Sequence, residues 1–145
     1  MAKIQARLKQ KIDKVVQQFN DHELKGINSY YATRYKGRYL YLDRNDYGTG
    51  EREICRLTYT GERDNWEFAI FKHSRDRYDP EEMFFPGAEF VDGTIEGAMK
   101  AGLEAYPINA GVAKLAKLFR RFVYLIVGGI CFMGLACTYG GYALW

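Results

Sequence analysis

The sequence predicts an α+β fold: a small antiparallel four-stranded sheet flanked by N- and C-terminal helices in the order α-β-β-β-β-α, followed by a single C-terminal transmembrane helix. Three observations predict it. Residues 28–73 hold four runs rich in aromatic and β-branched side chains, separated by turn-forming stretches. The segments on either side repeat apolar residues at helical spacing. The last stretch, FVYLIVGGICFMGLACTYGGYALW from Phe122 to Trp145, carries no charge in a chain that is 27% charged. The expected organisation is a cytoplasmic α+β domain at 1–107, a basic juxtamembrane helix or linker at 108–121 and a transmembrane helix at 122–145.

The first helix is expected over residues 3–19, where Ile4, Leu8, Ile12, Val15 and Phe19 form one apolar stripe. Lys3, Arg7, Lys11 and Lys14 run beside it, a basic edge suited either to solvent or to anionic lipid. Asn20 and then Gly26 are expected to end this helix. Four strands follow at Asn28–Tyr35, Arg38–Asp43, Glu53–Thr60 and Trp66–His73. Lys36-Gly37 suits a tight hairpin turn, and Asn45–Gly50 and Gly61–Asn65 suit longer loops, so the strands read as an antiparallel meander. Alternation places Cys55, Leu57 and Tyr59 on one face, with Ile54, Arg56 and Thr58 on the other. After the acidic, proline-containing loop RDRYDPEEMFFPGAEF, a second helix is expected from the spacing of Ile95, Ala98, Met99, Leu103 and Tyr106. Asp92 or Thr94 is its cap and Pro107 its stop.

The terminal run has the length of a membrane span, because some 20 apolar residues at roughly 1.5 Å each cover a ~30 Å hydrocarbon core. Lys114, Lys117, Arg120 and Arg121 stand immediately before it, and cationic flanks stay on the cytoplasmic side. The expectation is a tail-anchored, single-pass protein of the inner or cytoplasmic membrane with its N-terminus in the cytoplasm. Those four cations are also the residues expected to meet anionic lipid headgroups. Within the span, Gly128, Gly129, Cys131, Gly134, Ala136, Thr138, Gly140 and Gly141 supply small surfaces on which a neighbouring helix can pack closely.

Charge is segregated. The formal net charge of +3, less the four juxtamembrane cations, leaves residues 1–113 at −1. That balance, and a second helix with Glu96 and Glu104 against Lys100, argues against nucleic acid, even though YYATRYKGRYLYL interleaves Tyr with Arg and Lys as a base-stacking sheet does. Asp43, Asn45 and Gly48 imitate the start of a calcium loop, but Tyr47 and Ile54 stand where further ligands are needed. Cys55, Cys131 and Cys137 form no CxxC pair, and His22 and His73 belong to no catalytic or metal motif. No metal, no cofactor and no enzymatic activity are expected.

One loop stands out. Asp79, Glu81 and Glu82 precede Met83, Phe84 and Phe85, a combination that either tucks its aromatics beneath the sheet or docks a partner with them. The expected role is a non-catalytic, single-span accessory subunit of a larger membrane protein complex, of respiratory or photosynthetic type, whose partners are integral membrane subunits. The alternative is a tail-anchored adaptor that recruits a soluble partner through its cytoplasmic domain.

Overall fold

The computed structural model describes residues 2–108, and the predicted juxtamembrane segment and span lie outside them. The described chain is an α+β fold in which five strands form one antiparallel sheet in sequence order, with two α-helices packed on one face. The strands are β1 (Ser29–Lys36), β2 (Tyr39–Asp46), β3 (Glu51–Tyr59), β4 (Trp66–Lys72) and β5 (Arg77–Asp79). The helices are α1 (Ala6–Glu23) and α2 (Ile95–Ala105), with a 3-10 turn at Ala88–Phe90 before α2.

β5 corrects the four-stranded expectation. It is three residues long, and pairs Ile70 with Asp79, Phe71 with Tyr78 and Lys72 with Arg77. An Arg-Tyr-Asp tripeptide has no alternating apolar face to announce it; backbone pairing to the edge of β4 makes it a strand.

α1 also runs past its expected end at Asn20. The Asn20 side chain is drawn out of competition with the helix backbone: Oδ1 accepts from the Tyr31 N–H at 2.8 Å and Nδ2 donates to the Tyr31 carbonyl at 3.0 Å. The amide thereby acts as a short mock strand against the outer edge of β1. Ile12, Val16 and Phe19 face the sheet, and Phe19 meets Tyr31 edge to face. The β1–β2 hairpin closes on a two-residue turn, Gly37-Arg38, with Gly37 at φ +62°, a conformation open to glycine at little strain.

The sheet's inner face carries Tyr31, Leu40, Leu42, Cys55, Leu57 and Trp66, which join Ile12, Val16, Phe19, Ile95, Ala98 and Met99 in one core. Ile54 belongs to this core too, against the expectation that alternation sends it to the opposite face. The register explains it. Leu42 pairs with Cys55 but Asp43 pairs with Glu53, so Ile54 is the extra residue of a β-bulge, and both Ile54 and Cys55 are fully buried. The Ile54 methyl reaches Gly102 of α2, where a Cβ would collide with it and stand 2.7 Å from the Tyr31 hydroxyl. Thr94 caps α2 by accepting from Gly97 N–H at 3.0 Å.

Arg44 is fully buried within this inner face. Its Nε and Nη2 grip Asp46 at 2.8 and 3.0 Å, while Nη1 and Nη2 donate to the carbonyls of Gly102 and Tyr106 at 3.4 and 2.6 Å. The Gly102 carbonyl already accepts from the Tyr106 N–H at 3.1 Å, so the guanidinium adds a second donor there and supplies one to the Tyr106 carbonyl, a cation placed at the negative end of the helix dipole. β2 is thereby fastened to the end of α2.

Candidate functional site

The loop singled out in the sequence begins as β5 ends. Asp79 sits among three cations, with Lys72 Nζ at 3.7 Å and Arg75 and Arg77 each at 3.9 Å from its Oδ2, and its Oδ1 accepts from the Glu81 N–H at 3.1 Å. Glu82 pairs with Lys72, and its second oxygen accepts from the Phe84 N–H at 3.1 Å. These contacts hold the Glu82 carboxyl below its ordinary range, the Lys72 hydrogen bond most of all. Glu81 is exposed and has no ion pair among the described residues.

Two carboxylates are thus spent internally, and the three apolar residues divide. Phe85 stacks on Phe68 of β4 at 5.7 Å. Phe84 is 95% exposed and Met83 70% exposed. Beside them is a cleft of about 410 Å³ lined by Phe68, Pro80, Met83, Phe85, Ala88 and Val91 together with Glu67 and Glu82. The Phe84 ring is thus left in water on a loop whose N–H at that residue is held by Glu82, next to a mostly apolar cleft.

The face of the sheet opposite the helices holds a second constellation, which sequence reasoning dismissed. Register places Arg34 beside Tyr41, Tyr41 beside Arg56, Tyr39 beside Thr58 and Phe71 beside Tyr78. Arg34 forks onto the buried Asp43 at 2.9 and 3.3 Å, lies over the Tyr41 ring at 4.4 Å and reaches the Tyr78 hydroxyl at 3.5 Å. Arg56 lies 4.8 Å from the centroid of Tyr39 and 5.4 Å from that of Tyr78, and Arg38 is 5.4 Å from Tyr39. Tyr41 and Tyr78 meet edge to face at 5.3 Å. This lattice covers Thr58, Ala69 and Phe71, which are buried although neither α1 nor α2 packs on their side.

Electrostatics mark the lattice as positive at one end and balanced at the other. The neighbouring Arg38 guanidinium, and to a lesser degree Arg56, pulls the Tyr39 phenol below the ordinary range. Burial, with Asp43 close by, pushes Tyr78 up to about 12. The signal available in the sequence was the Tyr-x-Tyr repeat at Tyr39 and Tyr41; the missing information was which arginines the register sets beside them.

The basic edge of α1 is exposed at Lys3, Arg7, Lys11 and Lys14, none in an ion pair among the described residues. Lys3, Arg7 and Lys11 line one wall of an open cleft whose other wall includes Tyr59 and Gly61. Asn45, read as the third position of a calcium-like loop, instead accepts from the Gly48 N–H at 2.9 Å, and Asp43 is held by Arg34. His22 lies in the last turn of α1, and His73 follows β4, its ring edge-on to Phe71 and Tyr106. Among the described residues, no group of three His, Cys, Asp or Glu side chains is placed to hold a metal ion.

No described helix is long and apolar enough to cross a membrane. The small-residue set Gly128, Gly129, Cys131, Gly134, Ala136, Thr138, Gly140 and Gly141 lies outside the described residues, as do Lys114, Lys117, Arg120 and Arg121. No protein-family model matches the chain, and no curated protein or solved structure is significantly similar to it.

Proposed function

We propose that the chain is a non-catalytic, single-span accessory subunit of a larger membrane protein complex, held in the bilayer by residues 122–145 and docked to a partner subunit through the loop at Asp79–Phe85. The observation that carries the docking part is Phe84, 95% exposed on a loop whose backbone is fixed by Asp79 and Glu82. Burying a Phe ring is worth about 1.5–3 kcal/mol, and a preset loop loses little entropy when it binds. The anchoring part rests on the uncharged length of the terminal run and on the cations before it.

The experiment is purification of the full chain from its native membrane in mild detergent. The expected result is co-migration with at least one integral membrane protein. Phe84→Ala should abolish that co-migration while shifting the denaturation midpoint negligibly, since an exposed ring contributes little to the fold. A chain that always migrates alone, or that alkaline carbonate strips from membranes, refutes the proposal. Replacing Gly134 and Gly141 with Leu separates a packed subunit, which should dissociate, from a tethered adaptor, which should not.

A further inference from the structure

We propose that the outer face of the sheet, around Tyr39, Arg38 and Arg56, binds an acidic polypeptide segment by its carboxylates. The site lies on the face opposite the helices and is distinct from Phe84, so it stands or falls independently of the docking loop. Three of the guanidinium groups in the lattice differ in one respect. Arg34 is committed to Asp43, whereas Arg38 and Arg56 have no carboxylate partner among the described residues. Both stand over the same ring, Tyr39, at 5.4 and 4.8 Å. Arg56 is wedged between Tyr39 and Tyr78 so firmly that its Nε is buried with no acceptor.

Two arginines immobilised on one aromatic ring form a preset pair of forks. A carboxylate accepts two parallel N–H bonds from a guanidinium, and stacking on the ring has already removed much of the side chain's rotational freedom. Glu67 acts on Tyr39, and Asp43 and Glu53 act on Tyr78, so the attraction for an acidic ligand is local to Arg38 and Arg56, the two guanidiniums of this face without a carboxylate partner among the described residues.

Nucleic acid fits the same face poorly, for reasons other than the overall charge. Base stacking needs free ring faces, and here the guanidiniums of Arg34, Arg38 and Arg56 already lie over Tyr39, Tyr41 and Tyr78. A phosphodiester track also needs continuous positive charge. Asp43 neutralises Arg34 within the lattice, and Glu67 interrupts the track at β4.

The test uses the full chain in an uncharged detergent at low salt, and fluorescence anisotropy of three labelled probes. These are a twelve-residue peptide with six glutamates, the same peptide with glutamine in their place, and a twelve-nucleotide oligothymidylate. The glutamate peptide should bind and the glutamine peptide should not. Arg38→Gln should weaken binding about ten-fold, the loss of a charge-assisted fork, and Arg56→Lys, which keeps charge and cover but not the fork, should weaken it as well. Lys3→Gln, the same charge change on the helical side, and Phe84→Ala should leave it unaltered. Equal or tighter binding of the oligonucleotide, no binding of the glutamate peptide, or equal weakening by Lys3→Gln and Arg38→Gln each overturns the assignment.

Discussion

Arg44 shows how one residue carries two connections. Its guanidinium is inaccessible to water yet meets Asp46 and two carbonyls at the end of α2. Breaking a buried pair strands the remaining charge, which costs about 3–5 kcal/mol. Arg44→Ala should therefore lower the unfolding free energy measured in urea by that order, and Arg44→Lys should recover only part of it, because an ammonium cannot fork onto both Asp46 oxygens. His73 supplies a pH dependence of defined sign. Burial, and then Arg52, hold its imidazole below the ordinary 6.5, so the unfolded chain binds the proton more readily. The stability it contributes is complete above about 6.5 and is lost as pH falls through the lowered folded value. Urea midpoints measured across that range should fall less in His73→Gln than in the parent chain.

At the scale of elements, helices and strands were legible where apolar periodicity is strong and obscure where tertiary contacts decide. β1 to β4 and α2 announce themselves by aromatic and β-branched runs and by helical spacing. β5, the last turn of α1 and the inward turn of Ile54 do not. Each depends on a partner remote in sequence: β4 for the first, the edge of β1 for the second and the bulge opposite Asp43 for the third. Asn20→Ala removes both bonds to the β1 edge, so it should destabilise the domain by about 1–2 kcal/mol in chemical denaturation and expose an unpaired strand. Gly102→Ala tests the approach of α2 to the sheet. A methyl there must displace Ile54 and the Tyr31 hydroxyl, whose bond to the Met99 carbonyl is 2.8 Å, and overpacking of this kind costs about 1–3 kcal/mol.

The domain formed by the described residues has two unlike sides, and that asymmetry decided what sequence could reveal of its surfaces. Apolar residues next to acids in DPEEMFF named the loop, yet only coordinates separate Phe85, stacked on Phe68, from Phe84, left in water. Summed charge does not separate the two faces, because Glu96 and Glu104 belong to the helix on the opposite side from Arg38 and Arg56. The loop should also respond to acid. Glu82, held below its ordinary 4.5 chiefly by Lys72, keeps its grip on Lys72 and Phe84 above that value and loses it as pH falls through the lowered one. Hydrogen exchange of the Phe84 amide should accelerate, relative to other amides, across that acidic window, and Glu82→Gln should remove the transition.

Cys55, walled in between the bulge and α2 with its thiol pushed far up by burial, is chemically silent in the native protein. The chain's two remaining thiols, Cys131 and Cys137, both fall in the terminal run, so a water-soluble maleimide becomes a reporter for that segment alone. If residues 122–145 sit in the bilayer as proposed, the intact protein in sealed vesicles should take up no label, and detergent with denaturant should release all three sulfurs to it. Brisk labelling in the untreated vesicles would mean that the final residues are bathed in water.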